Sequence, residues 1–288
     1  MKKKVLSLLL AVVMTFSLAV TANAAEETAQ DLDGDIVILH TNDVHGAISG
    51  YARVAALKDA YEARGAYVLL MDAGDFIQGD PTVSTSEGAT AVELMNLAGY
   101  DVASMGNHEF DYGYQNLKDL EADADFTIVL YNGQVAFEDN VVFTAPDGTK
   151  IGVFGLDTPE TATKAHPAKI QGVTFLAGDK MFDCAQDQVD ALEAEGCEYI
   201  ICLGHLGIDA ESTGNRSIDL LEKVTGIDVF IDGHSHSTLE EIKEATNGTG
   251  KVGDTVLTST GTKLANVGMV DISPDGTIST SSLATSEL

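Results

Sequence analysis

Tryptophan is absent from this chain of 288 residues, and aromatic residues together make up only 6% of it. The core must therefore rest on Val, Ile, Leu and Ala. A hydrophobic fraction of 44% supplies enough of them for one large α/β domain or two small ones. Positive charge is the second shortage. Only 16 Lys and Arg face 45 Asp and Glu, for a formal net charge of −29. A surface this acidic repels a nucleic-acid backbone, which excludes a broad DNA or RNA groove. It also repels small phosphorylated molecules, so a site that takes one has to bring its own positive charge. Bound metal ions would do so.

Cysteine is scarce too. Cys184, Cys197 and Cys202 are an odd number, which excludes full internal pairing. Cys202 lies in an apolar run over 199–203 and reads as a buried small hydrophobe. Cys184 and Cys197 bracket a helix-like stretch and read as reduced thiols in preference to a disulfide. Long apolar runs are limited to one, residues 5–20, broken by Ser7, Thr15 and Ser17. It follows Lys2, Lys3 and Lys4 and precedes Ala22, Asn23 and Ala24, the layout of a signal peptide over 1–24. A secreted or periplasmic location is expected, with no stable membrane anchor, because no other run is long enough to span a bilayer. Cleavage would remove three lysines and take the charge from −29 to −32.

Residues 25–35 are small and acidic and read as a disordered leader. A single domain is expected over 36–275, followed by a Ser/Thr-rich tail over 276–288. Apolar runs at 36–40, 67–71, 102–105, 126–130, 151–156, 199–203 and 229–232 predict strands. Segments 256–259 and 267–272 predict later, more exposed strands, and 141–154 predicts a hairpin. Apolar residues recur at helical spacing in 52–64, 89–98, 180–194 and 217–224. This alternation around buried strands predicts a layered α/β domain.

The residues at the strand ends carry the chemistry. The first strand runs into Asp43 and His45, the second into Gly74 and Asp75, and the third into Gly106, Asn107, His108, Glu109 and Asp111. The strand at 199–203 runs into Gly204 and His205, and the one ending at 232 into Gly233, His234 and His236. Ligands of open α/β sheets bind at the carboxyl ends of strands. Converging there, these ends would collect three Asp, five His and one Asn. That is too many for one metal ion and about right for two plus a catalytic pair. Imidazole mixed with carboxylate and amide oxygen suits Zn, Mn, Fe or Co and does not choose among them. His40, inside the first strand, reads as a core residue, His166 as an exposed loop residue, and Arg216 as a solvated loop arginine. Glu109 reads as a structural carboxylate rather than a ligand.

In this order the motifs resemble those of the 5′-nucleotidase family, within the calcineurin-like phosphoesterases, over about 36–272. The resemblance implies a four-layer α/β/β/α sandwich of the metallophosphatase type. It implies one divalent metal on Asp43, His45 and His236, a second on Asn107, His205 and His234, and Asp75 bridging both. His108 and Asp111 would form a catalytic pair outside the metal shell. Two dications sharing a water would lower its pKa and supply hydroxide for attack on phosphorus. The implied activity is hydrolysis of small phosphate monoesters, nucleotides foremost. A cyclic-nucleotide or nucleotide-sugar phosphodiesterase is the alternative within the enzyme class, and a non-catalytic secreted binding module the alternative outside it. Two departures stand out. The family's C-terminal nucleotide-binding domain, which stacks the base between aromatic rings, is not represented after Ile272, so a missing domain or partner is expected. The family tends to have small residues ending in Ala-Asn near 126–132, where this chain has Thr127, Ile128, Val129, Leu130, Tyr131 and Asn132, so a local change in a site wall is expected.

Overall fold

The computed structural model describes residues 31–132 and 137–288. The expected signal peptide and residues 25–30 of the expected leader lie outside the described residues. Among the described residues the strands form two six-stranded sheets. In the first, β1 (Ile36–Thr41), β2 (Tyr67–Asp72), β3 (Val102–Ser104) and β4 (Thr127–Val129) run parallel. On the other side of β1, β11 (Asn266–Ile272) and β12 (Ile278–Ala284) add antiparallel. In the second sheet, β6 (Lys150–Asp157), β7 (Tyr199–His205), β8 (Val229–Asp232) and β10 (Thr255–Thr258) run parallel. Antiparallel β5 (Asn140–Thr144) and β9 (Lys251–Val252) close its edges.

Period-two side-chain alternation explains the layering. In β1, Ile36 and Ile38 point into the core between the sheets, while Val37 and Leu39 point to the helices of the first sheet. In β7, Ile201 and Leu203 face the inter-sheet core, while Ile200 and Cys202 face the helices of the second. Strands buried on both faces read as continuous apolar runs, as they do in this sequence. Outside the first sheet lie α1 (Tyr51–Glu62), α3 (Ala89–Ala98) and α4 (Tyr114–Asp123). Outside the second lie α6 (Asp179–Ala194), α7 (Ser217–Leu221) and α8 (Leu239–Ala245). Two short helices, α2 (Pro81–Thr85) and α5 (Thr161–Lys164), follow the ends of β2 and β6. The layered α/β domain read from the pattern, and the α/β/β/α sandwich that the resemblance implies, are the architecture observed.

Several expectations need correcting. Residues 31–35 are packed, not loose: Leu32 is buried in the core of the first helical layer, and its N–H donates to Arg64 O at 2.9 Å. The polar tail forms β12, because strand β11 presents a free edge to pair with and polar side chains suit a sheet margin. Strand β10 is buried along its whole length, since it lies between β8 and β9. Helix α4 was not anticipated: its first turn comes directly after the motif at 106–111, and only Leu117 and Leu120 are fully buried on it. The three cysteines are free, and Cys202 is buried as read. Among the described residues, no helix is long and apolar enough to cross a membrane.

Candidate metal centre

The carboxyl ends of β1, β2 and β3 meet those of β6, β7 and β8 along the seam between the sheets. Buried carboxylates pin the loops there. Glu109, fully buried, accepts from the backbone N–H groups of Gly106, Asp75, Phe76 and Ile77 at 2.6–3.2 Å, which locks the β2 loop to the β3 loop. Asp232 accepts from the N–H groups of Leu206, Gly207 and Gly233, joining the β7 and β8 loops. Asn42 ties the β1 loop to the β10–β11 loop, donating to Gly261 O at 2.9 Å and accepting from Thr260 N at 2.9 Å. Unpaired buried N–H groups are costly, so these acids and amides specify the loop shapes.

The loops are also strained where the ligand-type residues sit. Asp43, His45, Asp75, His234 and His236 all have left-handed backbone, with φ between 45° and 75°. Such a conformation costs a non-glycine residue on the order of 1–3 kcal/mol and concentrates at functional sites. Gly106 has no side chain for a different reason: a Cβ there would collide with Asp75 Oδ1 and the His205 ring.

Within this frame the predicted residues converge. His45 Nε2 and His236 Nε2 lie 3.0 Å apart, and Asp43 Oδ1 lies 3.9 and 3.4 Å from them. His205 Nε2 lies 3.1 Å from Asp75 Oδ2 and 3.8 Å from Asp43 Oδ1. Asn107 Oδ1 faces His234 Nδ1 at 2.8 Å. Among the described residues, Asp43, His45 and His236, and also Asp43, Asp75 and His205, are grouped closely enough to hold a metal ion. A divalent ion fits the donor chemistry. The two facing imidazole nitrogens share one approach point. His205 Nε2, wholly buried, has no well-aligned hydrogen bond and only the charge of Asp75 Oδ2 at 3.1 Å beside it, while its Nδ1 donates to Ala73 O at 2.7 Å and so leaves Nε2 as the free lone pair when the ring is neutral. Beside them, His108 Nδ1 pairs with Asp111 Oδ2 at 2.7 Å, and the His108 ring meets that of His45 edge-on at 5.4 Å. His108 N–H donates to Asp75 Oδ1 at 2.9 Å.

The charges are strongly coupled. Burial pushes the Asp43 carboxyl up to about 7, aided by the charge of Asp75 and opposed by His205. Burial also opposes ionisation of Asp75, but the imidazoles of His205, His108 and His45 outweigh it and hold that carboxyl below its ordinary range. His205 responds in kind: burial disfavours its cation, and Asp75, Asp43 and Asp157 overcome this and raise it. Burial brings His234 down to about 4, the neutral form that can bind a cation. His108 is raised, first by its hydrogen bond to Asp111.

The remaining sequence readings fall outside this cluster. His40 is buried between the sheets and is neutral, its imidazole lowered to about 3 by burial. His166 is exposed. Arg216 is not a free loop arginine: Nε and Nη2 form a fork on Asp219 at 2.9 and 2.7 Å at the start of α7. Sequence reasoning missed Gln78, which contacts His45 Nδ1 at 3.2 Å, and the pair Glu160 and Lys164 beside His234. The signal was present. Strand β6 also ends in an acid, Asp157, and the rule applied to the other strand ends points to the residues just after it.

A mixed α/β sandwich with His, Asp and Asn converging at its strand ends has the donor set of a metal-dependent hydrolase. Residues 36–238 match the calcineurin-like phosphoesterase family, and the chain belongs to it. It is 32% identical over 252 residues to the trifunctional nucleotide phosphoesterase protein YfkN of Bacillus subtilis, covering 74% of this chain and 16% of that protein. It is 31% identical over 237 residues to a 5′-nucleotidase of Diplobatis ommata, covering 74% of this chain and 39% of that protein. The chain thus spans well under half the length of these curated relatives. The crystal structure of the Bacillus subtilis calcineurin-like phosphoesterase YfkN shares the fold, with a TM-score of 0.72 at 24% identity over 88% of this chain and 91% of that one.

Proposed function

We propose that this chain is an exported phosphoesterase that uses two divalent metal ions to hydrolyse phosphate monoesters of nucleotides. The observation that carries the reading is the His108–Asp111 pair, at 2.7 Å, set against the cluster of Asp43, His45, Asp75, His205 and His236. When bound, the ions supply positive charge for the phosphoryl oxygens and acidify the attacking water. Asp43, His45 and His236 would hold one, Asn107, His205 and His234 the other, with Asp75 between them. Asp111 holds a proton on His108 Nδ1 and favours the cation, so the other ring nitrogen can donate to the leaving oxygen. When protonated, that ring would also attract the anionic substrate to a mature chain whose formal net charge is −32, the −29 of the full sequence less three lysines.

The nucleotide preference rests on the relatives, whose names describe 5′-nucleotidases and a trifunctional nucleotide phosphoesterase. The latter name also supports testing cyclic nucleotides and nucleotide diesters. Export rests on Lys2, Lys3 and Lys4, the apolar run after them and the Ala22-Asn23-Ala24 site.

The test is phosphate release by residues 25–288 from an aryl phosphate and a nucleotide panel, with Mn or Zn and with chelator. Metal-dependent release from nucleoside monophosphates is expected. No turnover on any ester together with no bound metal would sink the catalytic reading and leave a binding module.

A further inference from the structure

We infer that Glu160 is a positioning residue: it holds the His234 ring so that Nδ1, and not Nε2, faces the second metal position. The inference rests on His234 being a ligand, as in the function proposed above. The ring has two nitrogens, and only one can be a ligand at a given position. Nδ1 lies 2.8 Å from Asn107 Oδ1, the other side chain assigned to that position. Nε2 points the opposite way, 3.1 Å from Glu160 Oε2. A ring N–H on Nε2 donating to this carboxylate fixes the tautomer that leaves Nδ1 unprotonated. It also raises the basicity of Nδ1 and stops the ring from flipping.

Glu160 is itself held from two sides. Ser212 Oγ donates to Oε1 at 2.5 Å, and Lys164 Nζ pairs with Oε2 at 2.7 Å. Lys164 Nζ lies 3.1 Å from His234 Nε2, a hydrogen bond open only to the tautomer whose proton is on Nδ1 and donates to Asn107 Oδ1; an ion taken by Nδ1 and Asn107 Oδ1 would exclude that tautomer and leave Nε2–H to Glu160. Glu160 immediately precedes α5 as its N-cap and Lys164 ends it, one turn on, so the short helix after β6 presents both. Lys164 keeps the carboxylate charged, while Ser212 reaches it from the loop between β7 and α7. Thus the second sheet supplies both His234 and the residues that aim it. The other ligand rings are aimed differently: His205 by Ala73 O and His45 by Gln78 Oε1.

The experiment uses the mature chain as wild type, Glu160→Gln, Glu160→Ala and Lys164→Met. Mn(II) or Zn(II) alone is titrated calorimetrically, and bound metal is counted after dialysis. Wild type should take two ions. Glu160→Ala should weaken the second by about 10–100-fold and leave the first unchanged. Glu160→Gln keeps an acceptor oxygen and should recover part of that loss. Lys164→Met should have an effect smaller than that of Glu160→Ala. A long-range proton–nitrogen correlation on zinc-loaded wild type should find the His234 proton on Nε2, a signature that an ordinary surface ion pair would not set. That measurement holds even where the alanine variant fails to fold. Unchanged affinity for the second ion in Glu160→Ala, or a proton on Nδ1, overturns the positioning role alone. A wild type that takes up no second ion overturns it together with the function it rests on.

Discussion

The two candidate metal positions use the same kinds of ligand but sit at different depths. Around Asp43, His45 and His236 the cluster reaches the surface: the His236 side chain is 46% exposed, and its ring leans on His45 at 5.0 Å. Around Asn107, His205 and His234 it is sunk in the seam between the sheets, with His205 at 0% exposure and His234 at 6%. The deep rings are aimed by Ala73 O and Glu160, whereas His236 is held mainly by its neighbours in the cluster itself. Preorganised ligands lose less entropy on binding, and water competes less at depth. The deep position should therefore hold its ion more tightly and release it more slowly than the outer one.

The comparison can be broken at its hinge. Asp75 touches His205 and lies 3.9 Å from His45, so it serves both sides. Asp75→Asn should empty both positions and reduce turnover to background. Normal metal content by elemental analysis would refute the shared role. Next in size is His108→Ala, which should keep both ions and lower kcat by about 100- to 10,000-fold. Turnover unchanged from wild type would remove the His108–Asp111 pair from the mechanism. Smaller and sharper is the contrast between the two depths. In stopped-flow chelation the outer ion should leave first, and His236→Ala should weaken only that ion. A deep ion that leaves first would invert the comparison.

The smallest effect lies outside both positions. His40 lies on β1, just before the loop that carries Asp43 and His45, but faces the inter-sheet core, with Thr258 Oγ1 3.3 Å from Nε2 and Gly268 packed on its ring. Burial lowers its folded pKa from 6.5 to about 3, so below pH 6.5 the unfolded chain binds a proton that the folded chain refuses. Its contribution to stability is whole above pH 6.5 and declines as pH falls towards 3. With chelator present, Tm should therefore fall between pH 7 and pH 5 more for wild type than for His40→Gln. Equal falls would show that His40 is not a source of the acid sensitivity.

The apolar runs and the acids and histidines after them were legible because a strand buried on both faces leaves a continuous hydrophobic signature, and because ligand chemistry is local to a loop. Asp43 with His45, Asn107 with His108 and Asp111, and His234 with His236 are each visible within a few residues. Strand β12 was not, since an edge strand can be polar, nor was the burial of β10, which depends on which strands flank it. The partnerships between segments distant in sequence were also hidden. His205 meets Ala73 across 132 residues, and His234 meets Glu160 across 74. The sequence by itself determined the layered class, the acidic charge and the identity of the ligand-type residues. Only the tertiary structure decided that His205 keeps Nε2 free, which acids pin loops and which could bind metal, and which position is deep. Those choices depend on hydrogen-bond partners and burial, and both come from distant segments brought together by the packing of two sheets.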